Sequence, residues 1–133
     1  MFIDANIFAY AILDQKEKGE ACRDILDRIV HGQTATTSCL VIDEVMWSLV
    51  QNQKMILLES TIKNIYEMPN LEVVSPPSNA PLVAIQFMKE YNLKPRDAMH
   101  LATMQHYGIT TIATDDKDFD RIKGIKRIAP KGK

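Results

Sequence analysis

Acidic residues occur at four points of the chain where ordinary structural roles do not explain all of them together. Asp4 directly follows the apolar run 1–3, and Glu44 lies inside an apolar helical stretch. Asp97 falls in the first turn of another predicted helix, and the acidic loop 115–118 follows a predicted strand. A carboxylate inside an apolar helix is costly unless it is paired or binds a cation. These four points are therefore the strongest chemical signal in the sequence.

The four acidic points are expected to meet at one edge of a parallel sheet, where strands end and the following helices begin. Four carboxylates within about 5 Å of one another would repel by about 3 kcal/mol per pair at an effective dielectric constant of about 20. Such a cluster persists only with protons or with cations, and carboxylate oxygens suit Mg²⁺ or Mn²⁺. The pattern therefore predicts a site for one or two of these ions.

A carboxylate cage with open coordination positions suits the hydrolysis of phosphodiester bonds. One ion would lower the pKa of a water molecule, and a second ion about 4 Å away would stabilise the leaving oxygen. Asn6, together with Thr114 or Ser38, could orient ligands or water as a supporting layer. Three basic residues flank the acids and could hold the phosphates of the scissile strand: Lys94, Arg96 and Lys117.

Each of these residues, taken singly, also has an ordinary structural explanation. Asp4 or Asn6 could simply cap the helix that follows. Asp97 could complement the positive end of its helix dipole. The acids of the loop 115–118 suit a solvated turn, and the flanking basic residues suit ordinary surface charge. The hypothesis of a metal site therefore depends on the combined pattern.

Histidine and cysteine ligands do not offer a competing metal site. His31, His100 and His106 are scattered, and the last two do not share a helix face. We expect all three to be surface residues or hydrogen-bonded core residues. Cys22 and Cys39 lack the spacing of a zinc motif and are expected to be free thiols in a reducing compartment.

Short apolar runs alternate with helical patterns along the whole chain. Strands are predicted at 1–3, 33–37, 71–74, 109–113 and 126–128, and helices at 6–13, 16–30, 39–50, 55–67, 81–91 and 95–107. This alternation is typical of an α/β domain with three layers and a mostly parallel sheet. The chain of 133 residues suggests one domain, at 1–130, with a frayed tail at 131–133.

The overall composition is that of an ordinary globular protein. Hydrophobic residues make up 46% of the chain, charged residues make up 25%, and the formal net charge is -1. Without a global basic field, nucleic acid would have to be bound through a local basic rim or a metal. No signal peptide or membrane-length apolar run is evident, so the cytoplasm is the expected location and no membrane partner is expected.

Four segments of the chain resemble those of the PIN-domain family, and specifically its VapC type of toxin ribonuclease. The segments are FIDAN at 2–6, IDEV at 42–45, RDA at 96–98 and TDDKDF at 114–119. No single segment is specific, but the ordered set at these spacings is informative. The resemblance extends from residue 1 to about residue 130.

This resemblance implies a five-stranded parallel sheet in the order 3-2-1-4-5 and endoribonuclease activity dependent on Mg²⁺ or Mn²⁺. It also implies a homodimer and an inhibitory antitoxin encoded alongside the toxin. By position, Asp4, Glu44 and Asp97 match the three main acids of the family. The fourth acid matches Asp116, with Asp115 as a neighbour that could replace it or bind through water.

Other functions are compatible with parts of this pattern. A haloacid-dehalogenase type of phosphotransfer enzyme would need an acid where Asn6 stands, and a receiver domain would need paired acids that are not evident. A PIN-like interaction module with vestigial acids is a non-enzymatic alternative. A nuclease acting in RNA processing or decay, without an antitoxin, is another.

The helices around residue 50 carry more apolar side chains than one core face requires. They are Met46, Trp47, Met55, Ile56, Leu57 and Leu58. These side chains are either buried within the monomer or available for a homodimer.

Overall fold

The structure is a computed structural model that describes residues 1–131 of the chain. The strands are β1 (Phe2–Ile3), β2 (Ala35–Ser38), β3 (Leu71–Val74), β4 (Thr111–Ala113) and β5 (Lys126–Ile128). The helices are α1 (Ala5–Leu13), α2 (Glu17–Val30), α3 (Cys39–Gln51), α4 (Leu58–Glu67), α5 (Ala80–Tyr91) and α6 (Pro95–His106). Two short 3₁₀ helices span Met55–Leu57 and Lys117–Arg121. Of the predicted tail at 131–133, residues 132 and 133 lie outside the described residues.

The five strands form one parallel sheet in the order β3-β2-β1-β4-β5, as the resemblance implied. β1 lies at the centre, where Phe2 pairs with Thr36 on one side and with Ile112 on the other. Both residues of β1 are completely buried. An apolar strand buried on both faces is what a central parallel strand requires.

The connections between strands place helices on both faces of the sheet. The chain moves outward from β1 to β3 through α1 to α4, and then returns to β4 on the far side of β1 through α5 and α6. Because such crossovers are right-handed, the two sets of helices cover opposite faces. α1 packs against α2 and α3, and α5 packs against α6. The predicted three-layer α/β architecture is therefore confirmed.

Local signals fix the starts of the helices that carry acids. Ser38 ends β2 and caps α3, because its hydroxyl accepts a hydrogen bond of 3.2 Å from the backbone N–H of Val41. Pro95 stands in the first turn of α6, where its missing N–H costs nothing. Asn92 ends α5 in the left-handed conformation, with φ of 55°. These signals place Glu44 and Asp97 in the first half of their helices.

Some element boundaries differ from the predicted ones. β2 starts at residue 35 instead of 33, and β4 starts at residue 111 instead of 109. The predicted helix 55–67 is divided into the 3₁₀ turn Met55–Leu57 and α4. A strand extends only where its neighbours offer hydrogen-bond partners. β4 is limited in this way, because its partner strands provide only residues 2–3 and 126–128.

Among residues 1–131, no helix combines the length and the hydrophobicity that crossing a bilayer requires.

Candidate active site

The four predicted acidic positions meet at the carboxyl edge of the sheet. Asp4 directly follows β1, and Asp116 lies three residues beyond β4, the strand next to β1. Glu44 reaches the same place from α3, and Asp97 reaches it from the first turn of α6. All four line one cleft with a volume of about 1560 Å³. The structure thus brings together acids from four separate segments of the chain.

The four acids of this cleft belong to two groups of potential metal ligands, which also include His100 and Asp118, two residues that do not line the cleft as the described residues define it. Asp4, Glu44 and His100 form one group, and each offers a ligand atom within 4.8 Å of the others. We call this the Asp4 half of the cleft. Asp97 and Asp116 form the second group together with Asp118, at the same mutual distances. We call this the Asp97 half.

Asp4 is almost completely buried and is held by several protein donors. Its Oδ1 accepts a hydrogen bond of 2.8 Å from the N–H of Ala5. Its Oδ2 accepts one of 2.7 Å from the Thr114 hydroxyl and one of 3.3 Å from the Asn6 amide. Burial raises the pKa of Asp4, although His100 and the hydrogen bonds from Thr114 and Ala5 act in the opposite direction. The position of this carboxylate is therefore fixed by the protein itself.

Asn6 and Thr114 join the ends of β1 and β4. The Asn6 amide nitrogen donates to the Thr114 hydroxyl oxygen at 3.0 Å, and its amide oxygen accepts from the backbone N–H of Asp115 at 3.0 Å. The Thr114 oxygen also accepts from the backbone N–H of Asp116 at 3.1 Å. One network of hydrogen bonds therefore sets the direction of Asp4 and the course of the loop that carries Asp116.

Glu44 is held by a histidine that the sequence analysis did not assign to the site. His100 is completely buried, and its Nε2 forms a hydrogen bond with Glu44 Oε1. The same nitrogen lies 3.9 Å from Asp4 Oδ1. The other ring nitrogen, Nδ1, is buried and has no hydrogen-bond partner among the described residues. The expectation of a fully hydrogen-bonded core residue was therefore wrong for this nitrogen, whereas His31 and His106 are exposed as expected.

One signal in the sequence points to His100. It stands three residues after Asp97 on the same helix, and residues three apart lie on the same side of a helix. A helix that directs Asp97 into a cleft therefore directs His100 toward the same region.

The carboxyl group of Asp97 is also perturbed by its surroundings. Burial, followed by the negative charges of Asp116 and Asp4, raises its pKa to about 7. Ionised Asp97 is therefore repelled by the neighbouring carboxylates, and a bound divalent cation would offset this repulsion. Asp4, Glu44, Asp97 and Asp116 offer carboxylate oxygens, the type of donor that Mg²⁺ and Mn²⁺ prefer.

A model of the family described as "PIN domain" matches residues 1–125 of the chain. The chain belongs to the PIN-domain family. Among curated relatives, the VapC ribonuclease Mb1869c of Mycobacterium bovis and ribonuclease VapC13 of Mycobacterium tuberculosis are each 24% identical over 130 residues. The match covers 97% of this chain and 99% of each relative.

Solved structures share this PIN-domain fold. VapBC2 from Rickettsia felis, bound to a DNA fragment from its promoter, has a TM-score of 0.73 at 16% identity, covering 96% of both chains. The sarcin-ricin loop cleaving toxin VapC20 of Mycobacterium tuberculosis has a TM-score of 0.72 at 16% identity, covering 90% of this chain and 92% of that one. FitAB bound to the IR36 DNA fragment has a TM-score of 0.74 at 16% identity, covering 97% of this chain and 94% of that one.

The structure of this PIN domain separates Asp115 from Asp116. The Asp115 carboxylate forms a salt bridge of 2.8 Å with Lys18 and does not line the cleft. Asp116 lines the cleft and belongs to the Asp97 half. The geometry therefore favours Asp116 as the fourth acid.

The two hydroxyl residues that were proposed as supporting groups also have different surroundings. Thr114 donates directly to Asp4. The Ser38 hydroxyl caps α3 and makes no hydrogen bond to a cleft acid among the described residues. Thr114 and Asn6 therefore orient an acid of the cleft directly, whereas Ser38 does not.

Basic residues also line the cleft. Lys94 and Arg96 are close to Asp97 in the sequence, and the Arg96 guanidinium is 3.7 Å from Asp43 Oδ2. Lys117 is exposed and does not line the cleft as the described residues define it. Lys16 and Lys18, at the start of α2, line the cleft as well. These two lysines were not predicted, because they lie about 80 positions before Asp97.

Proposed function

We propose that this PIN domain is an endoribonuclease that requires Mg²⁺ or Mn²⁺, bound as one or two ions by Asp4, Glu44, Asp97 and Asp116. The observation that carries the proposal is the meeting of these four acids in a single open cleft of a PIN domain. The VapC ribonucleases that match almost the whole chain support an RNA substrate. A purely vestigial set of acids would not need to retain all four positions.

The chain's residues have separate tasks in this proposal. When bound, the divalent cations activate water for attack on the phosphodiester and neutralise the acids, so that a polyanion can approach. Asp97, whose pKa is raised to about 7, would ligate a cation in its ionised form. Asn6 and Thr114 keep Asp4 in a fixed direction, and Lys94 and Arg96 contact phosphates next to the bond that is cleaved.

The first test measures cleavage of a fluorescently labelled RNA by the purified protein with Mg²⁺, with Mn²⁺ and with chelator. Cleavage is expected only with the cations, and Asp97→Asn is expected to remove it while keeping the far-ultraviolet circular dichroism spectrum. Trp47 is the only tryptophan and lines the cleft, so its fluorescence gives an independent measure of RNA binding. Cleavage that persists in chelator would rule against the metal-dependent mechanism.

We also propose that the protein is the toxin of a toxin–antitoxin pair and acts in the cytoplasm, where its RNA substrate would be found. The support comes from relatives named VapC and from fold neighbours solved as VapBC complexes. Expression of the protein is expected to arrest growth, and co-expression of a small protein encoded next to it is expected to restore growth. Arrest that depends on Asp97 but is not relieved by any adjacent gene product would favour an RNA-decay nuclease instead.

A homodimer is proposed from apolar side chains that remain exposed around the end of α3. Met46 and Trp47 are 38% and 62% exposed, and Met55 and Ile56 are 68% and 91% exposed. Leu57 and Leu58, also considered for this surface, are partly buried.

Apolar surface of this kind marks an interaction site when its residues are contiguous. Sedimentation at micromolar concentration is expected to show a dimer that Ile56→Lys dissociates. Val30→Lys, at an exposed apolar position at the end of α2, is the matched control and should leave the dimer intact.

A further inference from the structure

The side chain that faces Glu44 belongs to a different layer of the fold. Glu44 lies on α3 and His100 lies on α6, 56 positions later in the chain. The two side chains meet through His100 Nε2 and Glu44 Oε1, while the same nitrogen is 3.9 Å from Asp4 Oδ1. The imidazole therefore stands beside both carboxylates of the Asp4 half.

Glu44 needs such a partner because nothing else in the described residues holds its carboxylate. It accepts no other side-chain or backbone hydrogen bond there, and its side chain is 27% exposed. The nearby negative charge of Asp4 repels an ionised Glu44 and would favour its rotation toward solvent. A hydrogen-bond donor between the two carboxylates counteracts this repulsion and fixes the direction of Glu44.

His100 is in turn fixed by the protein. The residue is completely buried, and its ring lies 5.7 Å from the ring of Phe2 in β1. Since an ionised carboxylate can only accept, Nε2 carries the proton that it donates to Glu44. Nδ1 has no hydrogen-bond partner among the described residues. The hydrogen bond to Glu44 is thus the one polar interaction at hydrogen-bond distance that this ring makes in the part of the chain that the structure describes.

We propose that His100 is a positioning residue for Glu44: the N–H of its Nε2 holds the Glu44 carboxylate toward the cleft, ready to ligate a divalent cation. This inference rests on the proposed function, because it assigns Glu44 to the cation site. It makes α6 responsible for two of the acids, Asp97 directly and Glu44 through His100.

The test uses Mn²⁺ binding measured by calorimetry, so that it does not depend on RNA cleavage. His100→Leu places an apolar side chain of similar size at this position and removes the hydrogen-bond donor. It is expected to weaken Mn²⁺ binding by about 10–100-fold, as is usual when the residue that orients a ligand is lost. His100→Gln places an amide N–H near the position of Nε2 and should restore most of the affinity. His106→Gln, at an exposed position on the same helix, is the control and should bind like the wild type.

A double-mutant cycle separates positioning from a merely structural role. If His100 acts through Glu44, then His100→Leu should change Mn²⁺ affinity by less than about twofold when Glu44 is already alanine. In RNA cleavage, His100→Leu should lower kcat and leave KM nearly unchanged, because the RNA-contacting residues remain. An equal loss of affinity with and without Glu44 would overturn the proposal, and so would an unchanged affinity in His100→Leu.

A nuclear magnetic resonance measurement covers the case in which His100→Leu fails to fold. The wild type is expected to show an imidazole Nε2–H signal from His100 that exchanges slowly with water, and Glu44→Ala should abolish it. Persistence of this signal in Glu44→Ala would contradict the proposal. A protein whose Mn²⁺ affinity depends on Glu44 and His100 as expected but which cleaves no RNA would contradict the proposed function alone.

Discussion

The two halves of the cleft are built in different ways. In the Asp4 half, protein donors hold the carboxylates: Thr114, Asn6 and the backbone N–H of Ala5 on Asp4, and His100 on Glu44. In the Asp97 half, Asp97 faces Asp116 and accepts no hydrogen bond from a protein donor among the described residues, and its pKa is raised to about 7. The comparison teaches that protein donors hold both carboxylates of the Asp4 half, whereas Asp97 in the other half has no such donor in the described part of the chain and depends, in the proposed function, on the cation to offset its neighbours' charge.

The largest expected effect distinguishes the two acids that follow β4. Asp116→Ala should lower RNA cleavage by at least about 100-fold, because it removes a ligand from a cation whose stabilisation of the transition state is worth several kcal/mol. Asp115→Ala should change cleavage by less than about threefold, since Asp115 pairs with Lys18 and does not itself line the cleft. Single-turnover cleavage at saturating Mg²⁺ measures both. A larger loss in Asp115→Ala would reverse the assignment of the fourth acid.

The next largest effect, on both stability and cleavage, is expected in the Asp4 half. Thr114→Val removes the donor to Asp4 and the acceptor for Asn6 and for the backbone N–H of Asp116. Because buried polar groups lose their partners, the free energy of unfolding should fall by about 1–3 kcal/mol in urea denaturation. Cleavage should fall by about tenfold. Thr111→Val changes the same residue type three positions before Thr114, within β4, and should lower neither stability nor cleavage.

A smaller effect is expected in the Asp97 half, where a substitution should raise the stability of the metal-free protein. The pKa of Asp97 is raised to about 7 in the folded protein, from an ordinary value of 3.8. Between these values the folded state binds more protons than the unfolded state, so the stability of the metal-free protein falls as the pH rises through this range.

Asp97→Asn removes this penalty. In chelator at about pH 8 its melting temperature should exceed that of the wild type, and near pH 4 the two should agree. Mg²⁺ should raise the melting temperature of the wild type and have little effect on Asp97→Asn. A variant that melts below the wild type at the higher pH would show that Asp97 is not under electrostatic strain.

The smallest effect is expected at the edge of the cleft. Lys18 forms its salt bridge with Asp115 at the surface, where the two side chains are 44% and 31% exposed. Exposed pairs contribute little to stability, so Lys18→Met should leave the midpoint of urea denaturation unchanged. If Lys18 also contacts RNA, the KM should rise, and the salt dependence of RNA binding should become weaker. An unchanged KM would indicate that Lys18 does not contact RNA and would leave Lys94 and Arg96 as the proposed phosphate contacts.

The sequence predicted the elements well because their signals are local. Capping by Ser38, the first-turn proline of α6 and the fully apolar β1 can be read from neighbouring residues. The boundaries of β2 and β4 could not be predicted, because a strand ends where its partner strands end. The four acids were also predictable, but only as a combined pattern, because most of them taken singly suit an ordinary structural role such as the capping of α1 by Asp4.

What the sequence alone determined is the α/β pattern and the set of acids at the ends of its elements. The tertiary structure decided the partners of those acids: Thr114 lies 110 positions from Asp4, and His100 lies 56 positions from Glu44. It also decided that Asp116 faces the cleft while the adjacent Asp115 faces Lys18. The physical reason is that hydrogen bonds and repulsion between side chains act over a few ångströms of space, and only packing brings such distant residues that close.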